Sequence, residues 1–236
     1  MSKLTWDALA DRKYETGVSK GVFYPYNSSS SDHPYAGGVA WNGLTAVNES
    51  ADGADITTLY ADNIEYLHIM SPEKFGITIE CYNYPSAFAE CIGKNTGTGK
   101  ATGSSTYSSI PGFIITGQSH KAFGFCYRTE LGSEANNELG YKIHIVYGCK
   151  SAPSDENHET VNDSPSAMSY SFECSTTPDS FGDDSTFKPT AHVIIDSTKL
   201  ASGKLTTLEN LLYGTDGTPG TDPELPTLAW IVANLL

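Results

Sequence analysis

Alternation of apolar and polar side chains with a period of two residues is the feature that most restricts the fold of this sequence. It is clear in Phe75–Asn83, Tyr141–Cys149 and Met168–Ser175, where every second residue is apolar over most of the segment. Successive side chains of a β-strand point to opposite faces, so this pattern predicts strands with one apolar face. Further strand-like runs are Gly21–Tyr26, Gly38–Glu49, Lys121–Glu130 and Ala191–Asp196. Such strands are typical of antiparallel sheets, and no strand–helix–strand series indicates a parallel sheet.

The segment Leu59-Tyr60-Ala61-Asp62-Asn63 predicts a β-hairpin. Alternating residues precede it from Thr57, and a second alternating run continues from Ile64 to Met70. Asp62 and Asn63 tolerate left-handed backbone and bond their own main chain in turns. The favoured Asn-Gly or Asp-Gly pair is absent, so the turn signal rests on these two residues alone.

Helical patterns are few. Lys204–Tyr213 carries a stripe of leucines, and Gly214 stands where a C-terminal cap belongs. Ser86–Ile92 follows a proline and is long enough for two turns, and Leu228–Leu236 is apolar nearly all round. The sequence therefore predicts a mainly β fold, an antiparallel β-sandwich or barrel with a flanking α-helix and a C-terminal apolar segment, in a single domain over residues 1–236.

Three polar segments are predicted to be long loops: Asn27–Pro34, Gly93–Ser109 and Ser151–Pro165. The second is rich in Gly, Thr and Ser. Loops of this length in a compact domain are usually functional or disordered.

Charge and composition exclude several classes of partner. The 236 residues include 28 acids and 14 Lys or Arg, for a formal net charge of −14. Such a chain is a poor ligand for nucleic acid or for an anionic membrane surface, because both require excess positive charge. No window of 18 apolar residues and no secretory signal is present, so we expect no membrane association and folding in a cytosol. We expect the five cysteines to be buried and reduced, although a Cys81–Cys91 bridge stays open.

No motif indicates catalysis. The six histidines lack metal-ligand spacing, and no G-x-S-x-G nucleophile motif occurs. Gly97–Thr102 only partly matches a phosphate-binding loop, and we interpret it as a flexible loop. We therefore expect no catalytic residue, cofactor or metal. A carbohydrate-binding or glycosidase-like β-sandwich is the main alternative. Its candidate residues are the acids Asp62, Glu65, Glu80 and Glu173 and the aromatics Trp41, Tyr82 and Tyr84.

Taken in order along the chain, several short segments resemble the major tail protein, or tail tube subunit, of long-tailed bacteriophages of the phi13 type. Each segment alone is weak, but together they span most of the chain. They are Asp11–Val18, Gly21–Pro25, Ala40–Val47, Leu59–Asn63, Phe75–Glu80, Phe123–Arg128, Gly140–Lys142, Val161–Pro165 and Leu208–Gly214.

The resemblance implies a non-enzymatic structural protein of the virion tail that assembles in the cytoplasm of the bacterial host. Its partners would be copies of itself, in stacked homohexameric rings, together with a tape-measure protein and the tail terminator and distal tail proteins. Phage DNA would pass through the lumen without specific binding. A head decoration protein is a further alternative.

In a tail tube subunit, several features of this sequence would have a role in assembly or in DNA passage. Acidic side chains in the lumen would repel DNA phosphates over about 10 Å. The hairpin Leu59–Asn63 is a candidate subunit contact. The candidate stacking loop is marked by Gly93, Gly97, Gly99 and Gly103, with Thr57–Met70 as the other candidate. Sheet edges and the apolar C-terminus need cover, either from neighbouring subunits or from the helix and C-terminal segment of the same chain.

Overall fold

The computed structural model of the protein describes residues 6, 12–30, 33–71, 73–100, 107–161, 163, 166–181 and 187–235. Some predicted features lie outside these residues. They are residues 31 and 32 of the first predicted loop, residues 101–106 of the second with Gly103 of the candidate stacking loop, Asp11, Asn162, Ser164 and Pro165 of the tail-protein segments, and Leu236.

The described residues form twelve strands, two α-helices and one 3₁₀ helix. The strands are β1 (Lys13–Pro25), β2 (Val39–Trp41), β3 (Leu44–Gly53), β4 (Ile56–Ala61), β5 (Ile64–Met70), β6 (Glu73–Cys81), β7 (Asn95–Lys100), β8 (Tyr107–Ile115), β9 (Phe123–Ser133), β10 (Gly140–Ser151), β11 (Tyr170–Ser175) and β12 (His192–Asp196). The helices are the 3₁₀ helix Ser86–Ile92, α1 (Ser202–Tyr213) and α2 (Leu228–Leu235).

Eight strands form the body of the protein in the order β2-β1-β9-β10-β11-β6-β3, with β12 paired to β10. All of these pairs are antiparallel. We call β2, β1, β9, β10 and β12 sheet one, and the end of β10 with β11, β6 and β3 sheet two. Strands β4 and β5 form a separate two-stranded ribbon, and β7 and β8 form another. The predicted antiparallel β-sandwich with a flanking helix is confirmed.

The main core lies between the two sheets and is dominated by aromatic rings. Phe23 and Phe125 contribute to it from sheet one, Ile79 and Phe172 from sheet two, and Phe88 from the 3₁₀ helix. Their burial holds the two sheets face to face, as in other β-sandwiches.

A second core covers the outer face of sheet one. Leu208 and Leu212 of α1 and Leu228 and Ile231 of α2 pack there against the strands, with Tyr147 of β10 among their contacts. The leucine stripe and the apolar C-terminal segment are thus covered within the chain. Sheet one is buried on both faces, so the prediction of a polar outer face is wrong for β9 and β10.

Strand β10 belongs to both sheets because it bends between Val146 and Cys149. Its first part pairs with β9 and β12, and its end pairs with β11. At the bend Gly148 has φ 60° and its backbone lies against Thr177. Glycine adopts this left-handed conformation more readily than residues with a side chain, and a Cβ would lie 2.5 Å from the Thr177 carbonyl oxygen.

Several elements begin or end at residues other than those predicted from the sequence. Gly38–Glu49 divides into β2 and β3, because Gly43 turns the chain with φ 85°. The predicted strand Gly21–Tyr26 extends back to Lys13 as β1, and α1 includes Lys204–Tyr213 as predicted. All five cysteines are buried and free, so the Cys81–Cys91 bridge does not form.

Candidate assembly surfaces

The β4–β5 ribbon is the hairpin predicted around Leu59–Asn63. Ala61 pairs with Ile64, and the two turn residues Asp62 and Asn63 have φ values of 53° and 62°. Positive φ at both central residues is typical of the two-residue turn whose twist matches that of the strands. The prediction of the hairpin is confirmed; its role in subunit contact stays a prediction.

The ribbon exposes large apolar side chains on both faces. Every residue of β5 is exposed. Ile69 and Met70 are adjacent in a regularly paired part of β5 and therefore point to opposite faces, yet 52% and 64% of their surfaces are exposed. The other exposed large apolar residues of the ribbon are Ile56, Leu59, Tyr60, Ile64, Tyr66 and Leu67.

A two-stranded ribbon with so much exposed apolar surface is marginally stable by itself in water. Contiguous apolar surface of this kind marks a protein–protein contact in soluble proteins. The ribbon therefore has the properties of an arm that packs on another molecule.

The described part of the candidate stacking loop belongs to a second ribbon, formed by β7 and β8. Asn95 of β7 pairs with Ile115 of β8, and Gly99 pairs with Ser108. For residues 95–100 and 107–109 the prediction of a loop is wrong, because composition rich in Gly, Thr and Ser hides strand pairing that is fixed by backbone hydrogen bonds. Residues 101–106 of this segment lie outside the described part of the chain.

The glycines in this segment have separate roles. Gly93 ends the 3₁₀ helix with φ 72°, and its peptide N–H bonds the Ala89 carbonyl. Gly97 lies in β7 under the ring of Phe113, where a Cβ would be 2.1 Å from that ring. Gly93 and Gly97 therefore belong to different elements of the described chain.

The β7–β8 ribbon also exposes apolar side chains. Its register shifts between Thr96 and Thr98, so that Ile110–Phe113 has no paired partner across the ribbon. Phe113 and Ile114 are 50% and 61% exposed. The sequence analysis assigned residues 110–115 to no element, although the apolar side chains of Ile110, Phe113, Ile114 and Ile115 were a signal for this surface.

Sheet two ends at β3, which pairs on one side only, with β6. An unpaired strand edge of this length is a template for adding a strand from another chain. Residues 48–51 of β3 are exposed, and the edge is therefore a third surface that another chain can reach.

A partly buried polar cluster joins β3 to sheet one. His144 Nδ1 lies 3.2 Å from His192 Nε2 and 3.0 Å from Glu49 Oε1, and His192 Nε2 lies 3.7 Å from the same oxygen. The side chains of His144 and His192 are 5% and 11% exposed. The Tyr127 hydroxyl donates a hydrogen bond to Glu49.

Burial controls the protonation of this cluster. It lowers the pKa of both histidines, although the Glu49 carboxylate acts in the opposite direction. Burial, the hydrogen bond to Glu49 and the Glu49 charge raise the pKa of Tyr127. The imidazoles are therefore held in their neutral form, which is the form that accepts a hydrogen bond or binds a metal.

A second layer orients His144 from the other side. Its Nε2 lies 3.1 Å from Thr129 Oγ1 and 3.4 Å from Glu15 Oε1. Burial raises the pKa of Glu15, but hydrogen bonds from Lys142 and Thr129 outweigh this effect and the pKa is lowered. Sequence reasoning missed the cluster because Glu49, His144 and His192 are far apart along the chain.

The residues of the carbohydrate-binding alternative do not all come together. Trp41 is buried in the core, with its indole N–H bonded to the Asn83 carbonyl oxygen at 2.9 Å. Asp62 and Glu65 lie on the β4–β5 ribbon, whereas Glu80 and Glu173 are diagonal neighbours on the paired strands β6 and β11 of sheet two.

Comparison with known proteins adds no relative. No family model matches the sequence, and no curated protein matches it. None of the helices in the described part of the chain is long and apolar enough to cross a membrane.

Proposed function

We propose that this protein is the structural subunit of a bacteriophage tail tube. In this proposal six copies form a ring, and rings stack into a hollow tube. The tube surrounds a tape-measure protein, is closed by tail terminator and distal tail proteins, and conducts DNA during ejection. The protein acts in the virion tail after assembly in the host cytoplasm.

The observation that supports this function best is the pair of exposed apolar ribbons. A body with two filled cores has no need of two apolar arms for its own stability. Burying one exposed Ile, Leu or Tyr side chain contributes about 1.5–3 kcal/mol, so several such side chains can drive association. Arms that leave one body and pack on the next form heterologous contacts, and such contacts close into rings when the rotation allows.

The open edge of β3 and the net charge agree with the same function. A neighbouring strand at this edge would continue the sheet from one subunit to the next. Acidic side chains that face the lumen would repel DNA phosphates and let the genome slide. Replacing such acids with Lys is expected to slow ejection.

Charge substitution on the ribbon tests the proposal. Tyr66→Lys with Ile69→Lys places two charges on β5, where both side chains are exposed. We expect the double variant to fold with an unchanged melting temperature and to remain monomeric. Negative-stain imaging and sedimentation should show rings or tubes for the wild type at the same concentration.

The matched control is Ser28→Lys with Thr206→Lys, which adds the same charge at exposed positions of the body. This control should assemble like the wild type. A wild type that stays monomeric up to millimolar concentration would contradict the proposal, as would tubes from the ribbon variant.

Shortening each ribbon separates ring formation from stacking. Ile56 pairs with Met70, and Asn95 pairs with Ile115, so a two-residue turn can replace residues 57–69 or 96–114. The ribbon that mediates stacking is the one whose removal leaves single rings. If both shortened proteins form full tubes, neither ribbon is the assembly contact.

A further inference from the structure

Three potential metal ligands converge where sheet two approaches sheet one. Glu49 comes from β3, His144 from β10 and His192 from β12. The three donor atoms form a triangle with sides of 3.0, 3.2 and 3.7 Å. The His144 and His192 rings are nearly parallel, at an interplanar angle of 16°.

This triangle has the size of one face of a tetrahedral metal site. Zinc binds imidazole nitrogen and carboxylate oxygen at about 2.0–2.2 Å, so neighbouring ligands of a tetrahedral ion lie about 3.3–3.5 Å apart. Two of the three donor–donor distances, 3.0 and 3.2 Å, are shorter than this ideal separation, and the third, 3.7 Å, is longer. Small rotations of the side chains bring all three atoms within bonding distance of one ion.

The surroundings are those of an ordered metal site. His144 presents Nδ1 to the triangle, while its Nε2 faces Thr129 and Glu15. A ligand histidine in proteins is commonly held by a carboxylate on its second nitrogen, which fixes the ring orientation. The His192 ring is stacked on Phe75 at a centroid distance of 4.4 Å.

We propose that Glu49, His144 and His192 bind a divalent transition-metal ion, with Zn²⁺ as the best chemical match. Two imidazoles favour zinc and its neighbours over Mg²⁺ or Ca²⁺, which prefer oxygen ligands. Glu49 and His144 also line a surface cleft with Asn48 and Lys142, and a water molecule from this cleft would be the fourth ligand. The ion joins β3 to β10 and β12, and so closes the sandwich at the edge of sheet two.

Direct binding of zinc chloride to the chelator-treated full chain tests this site. Isothermal titration calorimetry should show one Zn²⁺ per chain, and the melting temperature should rise with Zn²⁺ concentration because the ion binds the folded state. Cobalt chloride should give the visible absorption of a tetrahedral N/O site. All measurements are made on the monomeric Tyr66→Lys, Ile69→Lys protein as well, so that their outcome does not depend on assembly.

Substitutions assign the ligands. His192→Asn, His144→Asn and Glu49→Gln should each weaken binding at least about 100-fold, and Glu15→Gln about 10-fold through loss of its hold on His144. His158→Ala, in an exposed loop, should bind like the wild type. Gln has nearly the volume of Glu and Glu49 lies at the surface, so the Glu49→Gln protein should fold. It therefore tests metal binding at this site even if a histidine variant does not fold.

Two results would contradict the proposed metal site. Absence of 1:1 binding at micromolar Zn²⁺ would show that the three side chains form only a hydrogen-bonded cluster. Undiminished binding by the Glu49→Gln protein would place the ion elsewhere, for example on a cysteine, since all five cysteines remain in every variant.

Discussion

Buried tyrosines attach the helical layer to sheet one through their hydroxyl groups. Tyr24 donates to the Leu212 carbonyl oxygen at 2.5 Å, and Tyr147 donates to that of Pro226 at 2.8 Å. Tyr35 accepts a hydrogen bond from the Gly148 N–H at 3.0 Å, next to the bend of β10. Each ring fills the second core while its polar end is satisfied, and burial of a tyrosine is favourable only when both conditions hold.

The raised pKa of Tyr35 predicts that the folded state loses stability at alkaline pH. Burial raises its pKa to about 12 from the ordinary value of 10. The folded state therefore holds this proton more tightly than the unfolded state does. Its contribution is complete below pH 10 and is lost as the pH rises through 12. The difference between these two pKa values corresponds to about 3 kcal/mol.

Urea unfolding monitored at pH 8, 10 and 11.5 checks this prediction. Tyr35→Phe should cost about 1–2 kcal/mol at pH 8, because the Gly148 N–H loses its acceptor, and its stability should fall less between pH 10 and 11.5. Tyr82→Phe is the control, since Tyr82 is 57% exposed. A Tyr35→Phe protein with the same pH dependence as the wild type would contradict the assignment.

At the scale of elements, β10 is the strand on which the sandwich depends. It pairs with β9 and β12 in one sheet and with β11 in the other. The change of sheet occurs at Gly148, where the chain needs a left-handed residue and leaves no room for a side chain. A bulge of this kind bends a strand and increases its twist, which allows one strand to serve two sheets.

The same chemical change at two glycines should have opposite effects. Gly148→Ala introduces left-handed strain and a contact with the Thr177 carbonyl oxygen, so we expect a loss of about 2 kcal/mol or more. Gly203→Ala, in the first turn of α1, meets no atom within 4 Å and should stabilise the protein by up to about 1 kcal/mol through helix propensity. Chemical denaturation measures both; equal stability of the two variants would show that the bend does not require glycine.

Elements that follow local rules were predictable from sequence. The β4–β5 hairpin has alternation and two turn residues that tolerate positive φ, and α1 has its leucine stripe and a terminal glycine. The β7–β8 ribbon lacks such signals, because its β7 half consists of small polar residues and glycine. Burial of both faces of sheet one depends on helices that lie 60 or more residues further along the chain than β9, and no local pattern contains that information.

The candidate sites divide in the same way. The apolar side chains of the hairpin could be predicted from its local sequence pattern, and they are exposed because no other described element packs on them. Convergence of Glu49, His144 and His192 follows from the order of strands, which brings β3 near β10 and β12 only after the sandwich has closed. Histidine spacing in the sequence therefore could not reveal it.

At the scale of the whole molecule, apolar arms and net negative charge act against each other. Each chain carries a formal charge of −14, so copies repel one another as they approach. Apolar association of the ribbons has to overcome this repulsion. The balance between the two depends on ionic strength, because salt screens charge and leaves the burial of apolar surface largely unaffected.

Association should therefore increase with salt. Between 0.01 M and 0.1 M the screening length falls from about 30 Å to about 10 Å, which removes most of the repulsion between subunits. Sedimentation velocity of the wild type in 0.01 M and 0.2 M NaCl should show a larger assembled fraction at the higher concentration. The Tyr66→Lys, Ile69→Lys protein should stay monomeric in both, because salt cannot restore an apolar contact that has been replaced by charges. Dissociation of the wild type on adding salt would mean that paired charges, and not the apolar ribbons, hold the subunits together.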